Sequence, residues 1–173
     1  MSVWDQLINF LSTYQADPAT YLLIFFLFCV AAAIILPIPV EIPLVINPSV
    51  PFILKAIVLG LGKGAGAAGV FYIGIGIETT VMKFKKWGWF RWLLEKSEKF
   101  VRKYGYFAMF ALMAIPGMVD TIPLYVFSIL NKEGKLMTLR GFVIVNILAG
   151  ITRAALVYLI FFILGIPIFS PSA

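Results

Sequence analysis

Four apolar blocks, separated by shorter polar segments, make up most of the chain. Two of them, 54–82 and 139–167, are long enough to cross a bilayer as single helices, which takes about 20 residues. The other two, 19–54 and 105–131, are equally apolar but contain several prolines. Proline removes a backbone donor and clashes with the preceding turn, so neither block predicts one continuous helix. We interpret each as a re-entrant hairpin whose non-helical backbone lies against protein or a wet cavity.

The same order of features occurs in both halves of the chain. Each hairpin contains an acid within its break, Glu41 in the first and Asp120 in the second, and a continuous span follows each hairpin. The sequence therefore predicts an internal repeat, with units over 19–82 and 105–168. The breaks are predicted at Pro37, Pro39 and Pro43 in the first unit and at Pro116, Gly117 and Pro123 in the second.

Glycines four residues apart in the first span, Gly60 with Gly64 and Gly62 with Gly66, predict close approach between helix backbones. Residues 1–18 carry apolar side chains at helical spacing and predict an amphipathic helix at the membrane surface.

Composition agrees with a membrane protein and narrows the chemistry. Hydrophobic residues make up 62% of the chain and charged residues 13%, with a mean hydropathy of +1.01, which exceeds the values of a soluble domain. The single Cys29 excludes a disulfide framework, and the absence of histidine excludes His-based metal sites and catalytic triads. No metal or cofactor is expected, and with no nucleophile–base pair visible we do not expect an enzyme.

The basic residues predict the orientation in the membrane. If only 54–82 and 139–167 cross, then 83–103 and 131–140 share one side and hold 11 of the 14 Lys and Arg residues. The positive-inside rule makes that side cytoplasmic, with 83–104 as a basic interfacial helix on anionic lipid. The first hairpin then enters from outside and the second from inside, which makes the repeat inverted.

The predicted fold class is therefore an all-α integral membrane protein, in which each unit of the inverted repeat is a re-entrant hairpin followed by a transmembrane helix. The chain forms one membrane domain over 1–173, and an inner or plasma membrane of a prokaryote is the expected location. Inverted repeats with broken helices hold their substrate near the bilayer midplane.

Several of these motifs resemble the DedA family of the VTT (SNARE-associated) superfamily, over about 20–165. Pro37-Ile38-Pro39-Val40-Glu41 resembles the P-x-P-x-E element of the family's first re-entrant loop. Tyr72-Ile73-Gly74 ends a glycine-rich run similar to its G…G…Y-x-G span. Ile115-Pro116-Gly117 and the later Gly150 to Arg153 resemble its second loop and last helix.

The resemblance implies two facing re-entrant loops and membrane transport, including lipid scrambling and polyprenyl-phosphate recycling. The chain departs from the family pattern in its second loop, where Met113 and Val119 occupy positions that usually carry arginine. It also lacks most flanking helices of larger members, so it resembles a short, divergent branch.

Four charged residues fall at the predicted membrane depth, where charges are costly and are functional candidates by default. Glu41 and Asp120 are interpreted as proton or cation sites; the alternatives are a headgroup-level position for Glu41 and a helix cap for Asp120. Arg153 suits phosphate through its planar fork, or else forms a buried ion pair that fastens the second hairpin. Lys63 either lines the cavity or extends its ammonium towards the surface.

The leading functional hypothesis is a transporter that moves a lipid or lipid phosphate, scramblase- or flippase-like, coupled to protons through the carboxylates. Its expected partners are anionic headgroups or lipid phosphate, with protons or cations as coupling ions; a homo-oligomer is compatible with the sequence, and nucleic acid is not expected. Two alternatives stay open: an ion-coupled small-molecule transporter or exporter, and a non-transporting scaffold that binds lipid or partner helices.

Overall fold

The computed structural model describes residues 17–36, 38–82, 103–131 and 137–163, which are predominantly helical and contain no strand. The predicted all-helical class is confirmed for these ranges. The predicted surface helices over 1–18 and 83–104 lie outside them almost entirely, as do Pro37 and the end of the second unit. The helices are α1 (Pro18–Ile34), α2 (Ile42–Ile46), α3 (Phe52–Met82), α4 (103–114), α5 (Thr121–Leu130) and α6 (Leu139–Tyr158), the last continued by a π-helical turn over Leu159–Ile163.

Two helical stretches are long and apolar enough to cross a membrane. They run over Phe52–Gly74, with a mean hydropathy of 1.5, and over Leu139–Phe161, with a mean hydropathy of 2.1. These are the two blocks in which the sequence shows no internal proline. The helices built from the proline-broken blocks are shorter, with 17 residues in α1 and 10 in α5.

The start of α1 follows from local chemistry. Asp17 precedes the helix and accepts hydrogen bonds from the backbone N–H groups of Ala19 at 3.2 Å and Thr20 at 3.1 Å, and from the Thr20 hydroxyl. Pro18 occupies the first turn, where a missing N–H has no helical partner to lose. The Thr20 side chain, and then the two N–H groups, lower the pKa of Asp17 by stabilising its charged form.

Glycines let α3 pack closely against helices on two sides. A Cβ atom placed on Gly62 would lie 2.6 Å from the Cβ of Cys29 in α1, and one placed on Gly66 would lie 2.5 Å from the Cβ of Ala33. Residue numbers rise together from the first pair to the second in both helices, so α1 and α3 run in the same direction. The close approach predicted for these glycines is confirmed.

The opposite face of α3 packs against α6 in the reverse direction. A Cβ on Gly60 would meet Ile151 at 2.9 Å, whereas one on Gly64, a turn later, would meet Ile147 at 2.5 Å. Residue numbers rise in α3 as they fall in α6, so these two helices are antiparallel. A Cβ on Gly150 would lie 2.9 Å from the Cα of Gly60, which marks the point of closest crossing.

The first broken block turns back on itself. The Tyr21 hydroxyl, near the start of α1, donates to the carbonyl of Pro43 in α2. Lys55 of α3 is only 3% exposed, and its ammonium donates to the carbonyls of Leu44 at 2.5 Å and Asn47 at 2.9 Å. The chain therefore leaves α2 near the level at which α1 and α3 both begin.

The second broken block also doubles back, at the opposite end of α3. The Tyr106 hydroxyl in α4 accepts from the N–H of Thr138, which precedes α6, at 2.8 Å. Asn131, which follows α5, donates through Nδ2 to the Met137 carbonyl at 2.7 Å. The start of α4 and the end of α5 thus both lie close to the start of α6.

The two hairpins meet inside the molecule. The Thr121 hydroxyl at the start of α5 donates to the Ala32 carbonyl of α1 at 2.7 Å. One turn further on, the Tyr125 hydroxyl donates to the Ile34 carbonyl at 3.1 Å. These bonds satisfy carbonyls at the end of α1, which have no partner within their own helix.

The glycine contacts predict how substitutions in α3 affect stability. Gly66→Val should lower the free energy of unfolding in detergent by about 1–3 kcal/mol, because its side chain overlaps Ala33 and the Val30 carbonyl. Within the part of the chain that the structure describes, a Cβ on Gly76 meets nothing within 4 Å, so Gly76→Val serves as the matched control and should be neutral or slightly stabilising. Chemical unfolding of both variants, followed by circular dichroism, measures the difference. Equal stability of the two variants would contradict this packing.

Candidate functional site

Four charged side chains that are far apart in the sequence meet where the hairpins and long helices come together. Glu41 lies at the end of the first break, Lys63 in α3, Asp120 at the end of the second break and Arg153 in α6. None of them is more than 3% exposed, and both cations are fully buried. The structure thus brings together all four charged residues that the sequence analysis selected.

Arg153 bridges the two acids. Its Nη1 atom lies 3.3 Å from Oε1 of Glu41, and its Nη2 atom lies 2.9 Å from Oδ1 of Asp120. The guanidinium also donates through Nε to the Met113 carbonyl at 2.9 Å and through Nη1 to the Met118 carbonyl at 3.1 Å. Such a rigid fork fixes the relative position of both carboxylates, which a lysine at this position would not do.

Lys63 reaches the same cluster from α3. Its Nζ atom donates to Oδ1 of Asp120 at 3.0 Å and to the Met113 carbonyl, also at 3.0 Å. The alternative in which its ammonium extends towards the surface is therefore wrong, since the side chain is fully buried. A Cβ on Gly150 would lie 3.1 Å from Cδ of Lys63, so this glycine leaves room for the lysine side chain to cross α6.

The break between α4 and α5 supplies backbone groups to the cluster. In a continuous helix the N–H of Gly117 would bond to the carbonyl of Met113, four residues earlier. Gly117 instead has φ +78°, and its N–H donates to Oε1 of Glu41 at 2.8 Å. The Met113 carbonyl, freed by the same break, accepts from both buried cations. A single interrupted helical hydrogen bond thus provides one donor and one acceptor to the site.

Both acids stand directly before a helix but do not cap it. Glu41 precedes α2 and Asp120 precedes α5, and neither side chain accepts a hydrogen bond from its own helix. The capping role considered for Asp120 is therefore not observed, and Glu41 is buried within the protein. Both carboxylates are directed at the cations instead.

Three polar atoms in the cluster have no hydrogen-bond partner in the part of the chain that the structure describes. They are Oε2 of Glu41, Oδ2 of Asp120 and Nη2 of Arg153, and all three are buried. The Nη2 atom is close enough to Asp120 for an ion pair, although its orientation does not make a hydrogen bond. A purely structural ion-pair network normally satisfies such atoms, since each unpaired one costs about 1–3 kcal/mol. The hydrogen-bonding capacity of both carboxylates is therefore only partly used within the described residues.

The sequence analysis missed the backbone part of the site and the role of Lys55. The Pro116-Gly117 pair was the available signal, because a helix broken there must leave the carbonyls one turn earlier without helical donors. Lys55 was assigned to the outer surface, but it is buried and fastens the exit of the first hairpin. Pro39 and Pro116 lie between helices, whereas Pro43 and Pro123 lie in the first turns of α2 and α5.

Comparisons of the chain with protein families, curated proteins and solved structures find no match.

The geometry predicts that the charges of the cluster depend on one another. Arg153→Met leaves two buried carboxylates with one cation and should lower the free energy of unfolding by about 3–5 kcal/mol. The double variant Arg153→Met with Glu41→Gln keeps the pair of Lys63 with Asp120 and restores the charge balance, so it should be more stable than the single variant. Unfolding in detergent measures both, and Arg140→Met, which removes an exposed cation of the same helix, is the matched control. If the two site substitutions instead destabilise additively, the residues are not coupled as described.

Proposed function

We propose that the chain is an integral membrane protein that moves a lipid phosphate or phospholipid across the bilayer, with the charge cluster as its substrate site. The observation that carries this proposal is the buried group of two acids and two cations, three of whose polar atoms lack hydrogen-bond partners. The proposal places the cluster near the bilayer midplane, where such residues mark substrate and ion pathways.

In the proposed topology α3 and α6 cross the membrane, and the two hairpins enter from opposite faces. The directions of the helices support it. α1 runs parallel to α3, and α4 runs parallel to α6, since Met109 contacts Asn146 and Met113 contacts Arg153. Because α3 and α6 are antiparallel, the two units have opposite orientations. The resemblance of the breaks to DedA-type re-entrant loops supports the same arrangement.

The chemistry of the cluster suits a phosphate group. A guanidinium presents donors in a planar fork that matches phosphate oxygens, and the ammonium of Lys63 adds a second positive charge. In the described structure both cations are neutralised by Glu41 and Asp120. An entering anion must therefore compete with a carboxylate, and protonation of a carboxylate removes that competition. This connects the translocation of an anionic headgroup to protons.

An apolar groove beside the cluster supports a lipid rather than a water-soluble substrate. It has a volume of about 610 Å³ and lies between the start of α3 and the end of α6. Ile151 lines this groove and also packs against Gly60, at the crossing next to the cluster. An acyl chain lying in the groove would run along the apolar surfaces of α3 and α6. The groove is lined by Pro51, Phe52, Ile53, Ala56, Ile57, Ile151, Ala155 and Tyr158.

A second candidate function is an ion-coupled transporter of a small molecule on the same scaffold. It is favoured by the two carboxylate oxygens without partners, Oε2 of Glu41 and Oδ2 of Asp120, since carboxylate oxygens accept protons and bind cations. The lipid hypothesis ranks first because it also accounts for the two buried cations and the apolar groove.

Reconstitution tests the lipid hypothesis. In liposomes with a fluorescent phospholipid, quenching of the outer leaflet should remove well over half of the signal, because lipid from the inner leaflet reaches the quencher. Arg153→Ala and Glu41→Gln should each stop near half, since they remove cluster charges, whereas Arg140→Ala, an exposed substitution, should behave as the wild type. Folding of each variant is checked by its elution as a single species in detergent. Wild-type quenching in both site variants would refute the site, and quenching that stops near half in the wild type would refute scrambling.

A pH gradient separates the two candidate functions. For the ion-coupled transporter, an imposed gradient should drive proton flux, seen with an internal pH-sensitive dye, in vesicles whose fluorescent lipid does not cross. For the lipid transporter, lipid crossing should occur in the same vesicles and should be lost in Glu41→Gln. Proton flux with no lipid movement would reject lipid transport and favour the ion-coupled transporter as the function of this site.

A further inference from the structure

The two acids of the cluster are held unequally. Oδ1 of Asp120 lies 3.0 Å from Nζ of Lys63 and 2.9 Å from Nη2 of Arg153, so it contacts two cations. Oε1 of Glu41 lies 3.3 Å from Nη1 of Arg153 and accepts one neutral backbone N–H, that of Gly117. Coulomb attraction falls with distance and adds over partners, so Glu41 is the more weakly held carboxylate.

The charges of the site also constrain what can enter it. Two cations and two carboxylates leave the described cluster without net charge, and adding an anion to a buried neutral site is costly. Loss of one carboxylate charge offsets the charge of one incoming anion. Four titratable or charged groups surround Glu41. Arg153 comes from α6 and Lys63 from α3, and the others are Asp120 in the second break and the Cys29 thiol in α1.

We propose that Glu41 is the exchangeable ligand of Arg153: it takes up one proton and yields its place to a monoanionic phosphate headgroup, while Asp120 stays paired with Lys63 and Arg153. The proton binds to Oε2, which has no partner in the described structure, and converts the carboxylate to a neutral acid. An oxygen of the headgroup then accepts from Nη1 of Arg153, which keeps its bond to the Met118 carbonyl.

This exchange rests on the proposed function and names its substrate class and coupling. The net charge of the site is zero before and after, because one proton enters with one negative charge. The substrate class is therefore a lipid whose headgroup carries a single negative charge, as a phosphatidylglycerol does. A zwitterionic headgroup adds no net charge and requires no proton.

Proton uptake on ligand binding tests the exchange without any transport. The full chain is placed in phosphatidylcholine nanodiscs and titrated with dihexanoylphosphatidylglycerol, with dihexanoylphosphatidylcholine as the matched zwitterionic probe. Calorimetry in two buffers of different ionisation enthalpy should give uptake of about one proton per phosphatidylglycerol and none with phosphatidylcholine. Glu41→Gln should abolish the uptake.

Infrared spectra show whether a glutamate or an aspartate takes up the proton. Binding of dihexanoylphosphatidylglycerol should produce a carboxylic-acid C=O band that shifts when the protein carries ¹³C-labelled glutamate and stays in place with ¹³C-labelled aspartate. Because labelling leaves the sequence unchanged, this result does not depend on the folding of a variant.

Three outcomes would overturn the exchange: a band that shifts only with labelled aspartate, binding without proton uptake, or no binding of the phosphatidylglycerol probe. Lipid scrambling is measured on the same purified protein after reconstitution in liposomes. Scrambling that persists without proton uptake rejects the exchange but leaves the proposed function, whereas absence of scrambling rejects the function itself.

Discussion

The structure depends on a backbone hydrogen bond that the second hairpin does not make. Between α4 and α5 the chain separates the Gly117 N–H from the Met113 carbonyl, and both groups are then bound by charged side chains from other segments. Met113 is fully buried, so its carbonyl must be paired, and the break leaves that pairing to the two buried cations. The charges in turn need those backbone groups, because ion pairing alone does not satisfy a buried ammonium or guanidinium. The break and the cluster therefore supply hydrogen-bond partners to each other.

The cluster links the two halves of the chain to each other. Glu41 in the first half contacts Arg153 in the second, and Lys63 in the first half contacts Asp120 in the second. The glycine crossing of α3 and α6 lies next to these pairs, so the halves touch through backbone on one side and through charges on the other. A packed glycine crossing resists separation, whereas a charge pair changes partners readily once its protonation changes.

The sequence predicted the elements of this arrangement better than their connections. The positions of the prolines predicted both breaks, and the long apolar runs without internal proline predicted α3 and α6. All four cluster residues were selected because charges are rare in the apolar blocks. The pairing of those residues was not predictable, because it depends on distances between segments far apart in the chain. The Met113 carbonyl and the buried Lys55 were missed for a related reason. Backbone acceptors carry no sequence signature, and a lysine near a helix start has the same pattern whether it faces solvent or carbonyls. The membrane topology and the surface helices at 1–18 and 83–104 stay predictions.

The contact between Glu41 and Arg153 has a consequence for the synthesis of the chain. Glu41 leaves the ribosome more than one hundred residues before Arg153. At about 5–20 residues per second, the acid exists for about 5–20 s before its partner is made. During that interval the first hairpin contains an acid whose cation does not yet exist, so its final burial must wait for the last helix. The first hairpin is made before α3 and α6, but it can reach the paired arrangement of the structure only after α6 has been made.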